Sequence, residues 1–137
     1  MIPHQATAVA IGGRALLIEG PPGSGKSSLA LALIDRGAVL IGDDGVMLEA
    51  AGDRLLAHPH PRTRGLLEVR NLGLLPFEVC ESAPVALVLR LDLYASRFVE
   101  AAELTELAGM TLPMLQLWPE SPVLHLKAEL ALERFGI

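Results

Sequence analysis

Cysteine is almost missing from this chain. Cys80 is the only one in 137 residues, so no disulfide can form within it, and a lone thiol reads as a small apolar filler. A basic excess is missing too. The net charge is −5 and no basic stripe runs through the sequence, which argues against a nucleic-acid partner. No apolar run reaches the roughly 18 residues of a membrane span. Met1-Ile2-Pro3-His4-Gln5 lacks the basic start and apolar core of a signal peptide. The expectation is a soluble, cytoplasmic protein with no membrane partner. Disorder is excluded as well, because 51% of residues are hydrophobic and only 20% are charged. The length suits one domain, residues 1–137, and neither a repeat nor a linker interrupts it.

What is present reads as alternating short elements. Thr7 to Glu19 predicts a hairpin, two apolar runs joined by Gly12-Gly13. Ser28 to Arg36 predicts a helix stopped at Gly37, and Ala38 to Ile41 a buried strand. Val46 to Leu56 predicts a second hairpin around Ala51-Gly52-Asp53, followed by an irregular loop from His58 to Arg64. Leu66 to Val69 and Val85 to Leu91 predict strands, and Thr111 to Trp118 an extended segment. Ser121 and Pro122 are placed as N-cap and first residue of a helix reaching Phe135, with Leu124, Ala128, Ala131 and Phe135 on one face.

Between the first hairpin and the first helix lies Gly20-Pro21-Pro22-Gly23-Ser24-Gly25-Lys26-Ser27, which matches G-x-x-x-x-G-K-[ST]. Its glycines reach backbone angles closed to other residues, so successive N–H groups can converge on one anion. The following helix adds the partly positive end of its dipole. Lys26 would neutralise the β- and γ-phosphates, and the Ser27 hydroxyl would hold Mg²⁺. With glycine at roughly 7% of residues, the four fixed positions coincide by accident in well under about 1% of chains this long. Residues 20–27, with neighbouring Ser28, are therefore the candidate ligands for ATP and Mg²⁺.

The carboxylates are less specific. Asp43 and Asp44 end the strand after the first helix, where P-loop proteins bring an acid to Mg²⁺. Adjacent residues on an extended chain face opposite ways, so one would serve the metal and the other take a proton from an attacking hydroxyl. The competing reading is a polar turn at a strand exit, since Asp-Gly is a common turn pair. Glu68 and Arg70 fall on one face of a short strand. They suit a metal ligand and a stabiliser of transferring charge, but from the residues alone a surface ion pair is the simpler reading. His58 and His60 read as solvated loop residues rather than a metal pair. Asp92, Glu100, Glu103 and Glu106 read as a solvated face.

Taken together, Gly20–Ser27, Leu29-Ala30-Leu31, Arg36-Gly37, Asp43-Asp44 and Glu68-Val69-Arg70-Asn71-Leu72-Gly73 resemble the catalytic domain of the HPr kinase/phosphorylase family. The last of these is similar to its E-x-R-G-L-G segment, with Asn71 where the family usually has glycine. Leu89-Arg90-Leu91-Asp92 and Leu112-Pro113 are similar, more loosely, to the short alphaproteobacterial members. The resemblance implies an α/β fold, a mixed and largely β core around the P-loop with flanking helices. It implies an ATP-dependent kinase acting on a serine of HPr, the phosphocarrier of the sugar phosphotransferase system, and an oligomer, often a hexamer. By the same resemblance Lys26 carries the phosphate role, Ser27 and Glu68 match the Mg²⁺ ligands, and Asp44 matches the general base with Asp43 beside it. Arg70 falls in the segment needed for catalysis, and His4 is the candidate for a histidine upstream of the P-loop. The C-terminal arginine-containing stretch linked to phosphorolysis in longer members has no counterpart here, so the kinase direction is favoured. A small-molecule kinase on the same core, or an ATP-sensing module without catalysis, are the rival readings. An available proton acceptor separates enzyme from sensor.

Overall fold

Short apolar runs punctuated by Gly and Asp favour strands over helices, and eleven strands with two helices result. In the computed structural model, which describes residues 1–137, the order is β1 (Ile2–His4), β2 (Thr7–Ile11), β3 (Arg14–Glu19), α1 (Lys26–Asp35), β4 (Val39–Gly42), β5 (Val46–Ala51), β6 (Arg54–Pro59), β7 (Leu66–Val69), β8 (Gly73–Pro76), β9 (Ala83–Leu91), β10 (Glu103–Leu107), β11 (Met110–Leu117) and α2 (Leu124–Phe135). This is the mixed α/β architecture that the sequence predicts, a sheet core with flanking helices.

Nine strands form one sheet. Its main path runs β1-β5-β6-β9-β3-β2-β4, and β11 joins β9 while β10 joins β11. β7 and β8 form a separate hairpin. The arrangement that matters is central. β9 pairs in parallel with both β3 and β11. β4 is antiparallel to β2, which is antiparallel to β3, so β4 also points the same way. The carboxyl ends of β4, β3, β9 and β11 therefore open on one edge of the sheet, where ligands of such sheets bind.

Both faces of this centre are buried, which explains its nearly continuous apolar strands. Along β3 the side chains alternate between two cores. Leu16 and Ile18 pack beneath the helices with Leu29, Leu33, Ala128 and Leu132. Ala15 and Leu17 pack on the other face with Ile41, Leu48, Leu55 and Val88. Truncating a fully buried side chain such as Leu33 to alanine costs about 2–5 kcal/mol, because the cavity closes only in part.

The structure corrects several expectations. α1 begins at Lys26 rather than Ser28, because Gly25 adopts φ 100 and acts as the N-cap. α2 begins at Leu124, with Val123 rather than Ser121 as its N-cap. The Ser121 carbonyl accepts the N–H of Leu124 and its Oγ accepts that of Val123, so Ser121 and Pro122 form a tighter turn ahead of the helix. β6 runs through His58 and Pro59, which pair with Met47 and Val46 instead of looping out. Glu103 and Glu106 lie on strand β10.

Candidate active site

The phosphate loop is held open by local geometry. Gly25 occupies the left-handed region, which a side chain would strain. Gly20 answers a second need. A Cβ there would lie 2.6 Å from Ser24 Oγ and 3.2 Å from Leu91 Cβ, so the loop can press against β9 only without one. The first helical bond is donated by Leu29 to the Gly25 carbonyl, 2.9 Å, leaving the N–H groups of Lys26, Ser27 and Ser28 without intrahelical acceptors. No side chain caps this end and no acid sits in the first turn. Lys26 Nζ donates to the carbonyls of Gly20, 2.7 Å, and Pro21, 3.4 Å, which holds the ammonium over the loop. Ser24 Oγ is buried and has no hydrogen-bond partner in the protein. A loop with free N–H donors, a lysine across it and an orphaned hydroxyl fits a polyphosphate.

Directly beyond β4, the two aspartates part company. Asp43 is buried. Its Oδ1 accepts the hydroxyls of Ser27, 2.6 Å, and Thr7, 3.1 Å, and its Oδ2 accepts the Glu68 N–H, 2.9 Å. Asp44 is exposed, at φ 58, and its N–H donates to Thr7 Oγ1, 3.2 Å. Its carboxylate meets only Gln5 Nε2, 3.4 Å away. Left-handed backbone at a residue other than glycine is unusual, and aspartate is among those that tolerate it. The chain bends here rather than continuing extended, so one carboxylate turns inward and the other outward. Thr7, fully buried, bonds to both residues. The sequence does not single it out, since its only signal there is a hydroxyl heading an apolar strand.

The Ser27–Asp43 contact sets two oxygens at one point beside the loop. Mg²⁺ prefers one or two carboxylates supplemented by substrate phosphates. No three His, Cys, Asp or Glu side chains converge into a protein-only metal cage. The donor set therefore fits a Mg²⁺ shared with bound phosphate.

Glu68 and Arg70 stand differently from expectation. β7 ends at Val69, Arg70 lies in the turn, both side chains are exposed, and they form no ion pair. The surface-pair reading is thereby overturned. Glu68 lies next to the site through its backbone bond to Asp43. Asn71 has φ 75, which explains the residue type at the position where the resemblance expects glycine. His58 is not a solvated loop residue. Its ring joins the Glu81 carbonyl, 3.2 Å, to the Glu49 carboxylate, 2.9 Å. His60 Nδ1 accepts the Arg62 N–H.

A network centred on Glu19, which the sequence does not single out, anchors the start of the loop and takes in His4, the upstream histidine of the resemblance. Glu19, immediately before Gly20, bonds His4 Nε2 at 2.7 Å and Arg90 Nε at 2.9 Å, while Arg90 also reaches Thr105. Burial works against the Glu19 charge, but the hydrogen bonds and charges of His4 and Arg90 outweigh it and hold the carboxyl below the usual range.

On the other side of the loop, a cavity of about 500 Å³ is lined by Pro21, Pro22, Ser24, Asp92, Tyr94 and Glu120, among others. No helix is long and apolar enough to cross a membrane.

Comparison with known proteins places this geometry. The HPr Serine kinase C-terminal domain family matches residues 2–90. The chain is similar to the HPr kinase/phosphorylase of Mycoplasma mycoides subsp. mycoides SC, 31% identical over 109 residues, covering 73% of this chain and 34% of that protein. It is 42% identical over 71 residues to the HPr kinase/phosphorylase of Mycoplasmopsis pulmonis, covering 52% of this chain and 23% of that one. The chain thus spans about a third or less of the length of these curated relatives. The structure of the Hpr(Ser) kinase/phosphatase from Coxiella burnetii has the same fold, with a TM-score of 0.85 at 23% identity over 97% of this chain and 95% of that one.

Proposed function

The chain belongs to the HPr serine kinase C-terminal domain family, and from that premise we propose that it transfers the γ-phosphoryl group of ATP to a serine hydroxyl of HPr. The observation that carries this reading is the division between the two aspartates beside the phosphate loop. A serine hydroxyl is a poor nucleophile until a base takes its proton, and a placed carboxylate typically contributes about 10²–10⁴-fold. Asp43 has its oxygens engaged by Thr7, Ser27 and Glu68, which suits it to hold position toward a metal. Asp44 is exposed and nearly unengaged, which suits it to accept a proton from an incoming serine. A protein that only senses ATP has no use for such a base.

In this reading the backbone of Gly20–Ser28 and Lys26 bind and orient the triphosphate. Ser27 and Asp43, with Glu68 adjoining, hold Mg²⁺, which when bound offsets charge on the phosphates. Arg70, exposed on the turn after β7, would complement charge on the transferring group. The domain working as an oligomer and in the cytoplasm is part of the same proposal.

The test is incubation with γ-labelled ATP, Mg²⁺ and HPr from the same organism, followed by mapping of the label. Label on a serine of HPr is expected. ATP binding with no transfer to HPr, but transfer to a small molecule or none at all, would favour one of the rival readings instead.

A further inference from the structure

A cavity of about 500 Å³ opens beside the loop and shares Pro21–Ser24 with it, and its size lies in the range of small-molecule sites. Its position is set by the sheet. Asp43 and Asp44 follow β4, on one flank of the loop that follows β3. The cavity is walled by the loop itself and, on the other flank, by the end of β9 and the residues following β9 and β11. A triphosphate lying in the loop has two ends. The reacting end must face Ser27, Asp43 and Asp44, so the opposite end leads toward Asp92, Tyr94 and Glu120.

The lining has the chemistry for what is attached at that end. It holds two carboxylates and no basic side chain, which disfavours another phosphate. Asp92 Oδ1 already accepts the Tyr94 N–H, 2.8 Å, and Oδ2 has no partner in the protein. Carboxylates accept hydrogen bonds only, so they match hydroxyl and amino donors. Tyr94 is 91% exposed at the rim, an aromatic face on which a flat base can stack. Ser24, whose unpartnered Oγ fits the phosphate chain, also borders this cavity and marks where the two sites would join.

We propose that this cavity is the nucleoside subsite, with the base stacked on Tyr94 and the ribose hydroxyls or a base amino group donating to Asp92 and Glu120. The proposal rests on the phosphate-loop reading above. It makes the loop the source of phosphate affinity and the ends of β9 and β11 the source of selectivity for a nucleotide over bare polyphosphate.

The test titrates the full chain with Mg²⁺–ATP and, separately, with Mg²⁺–tripolyphosphate, by calorimetry and by fluorescence of Trp118. This is the only tryptophan and adjoins Pro119 in the cavity wall. ATP is expected to bind roughly 5- to 140-fold tighter than tripolyphosphate, the span of one base–aromatic stack. ATP alone is expected to shift Trp118 emission. Tyr94→Ala, a change at an exposed side chain that leaves the core untouched, should erase that margin and leave tripolyphosphate affinity unaltered. Asp92→Asn should do the same in part. If ATP affinity stays within about twofold of the parent when both substitutions are combined, the subsite is elsewhere and the proposal falls. If the parent chain binds neither ligand, the phosphate-loop reading fails and takes this one with it.

Discussion

The two flanks of the phosphate loop are built in opposite ways. On the Asp43 flank, Thr7, Ser27, Asp43 and the Glu68 backbone bond to one another in a buried cluster. On the Tyr94 flank the lining is open, its aromatic ring 91% exposed and Glu120 without any hydrogen bond. The matched family region, residues 2–90, contains the first flank whole and stops before Leu91–Tyr94, Pro119 and Glu120 of the second. Under the proposed function the contrast follows from what each flank would have to do. Phosphoryl transfer needs groups fixed to within fractions of an ångström before the substrate arrives. Holding a base and sugar needs only a surface with a stacking face and a few acceptors, which many sequences supply.

The largest break in this picture comes from the loop that serves both flanks. Lys26→Ala is expected to weaken ATP and tripolyphosphate alike by about 30- to 4,000-fold, the cost of losing one partner of a desolvated charge pair. Calorimetry on the folded variant measures it, and unchanged affinity would remove the phosphate site altogether. Thr7→Val tests the buried flank alone. It keeps the shape but strips the hydroxyl from between Asp43 and Asp44, so about 1–3 kcal/mol of stability should be lost to unsatisfied groups. Transfer should slow while ATP affinity holds. A variant with parental denaturation midpoint and turnover would show the Thr7 bonds to be incidental.

The smallest effect concerns Glu19, at the start of the loop between the flanks. Glu19 has its folded pKa depressed, so its contribution is full above the ordinary carboxylate value of 4.5 and is lost as pH falls through the lower folded value. Glu19→Gln should therefore be less stable than the parent near pH 7, by about 1 kcal/mol, and the gap should close on acidification. Chemical denaturation at a series of pH values reads this directly. A gap that is constant or widens toward low pH would place the origin of the effect elsewhere.

The unequal flanks also explain what is legible in the sequence. Gly20–Ser27, the Gly12-Gly13 hairpin and the strand before Asp43-Asp44 can be read because each rests on contacts near in sequence or on a spacing that chemistry fixes. Thr7 cannot be assigned, since its role depends on partners 36 and 37 residues away. The Glu19–Arg90 pair spans 71 residues and exists only because β3 and β9 lie in register. Asp92 reads as part of a solvated face because nothing local tells that β9 ends beside the loop. Ser121 and Pro122 match a cap pattern, yet the bonds they make close a turn one step early.

The division of labour between the aspartates is tested most directly by the rate of phosphoryl transfer to HPr for Asp44→Asn at saturating Mg²⁺–ATP. Asparagine keeps the size and a hydrogen-bonding oxygen but cannot accept the proton. Turnover is expected to fall about 10²–10⁴-fold with ATP affinity equal to or slightly above that of the parent, since one negative charge near the triphosphate is gone. Near-parental turnover would contradict the role of Asp44 as the base. If Asp43→Asn were then inactive, Asp43 would be the base and Asp44 would serve the metal.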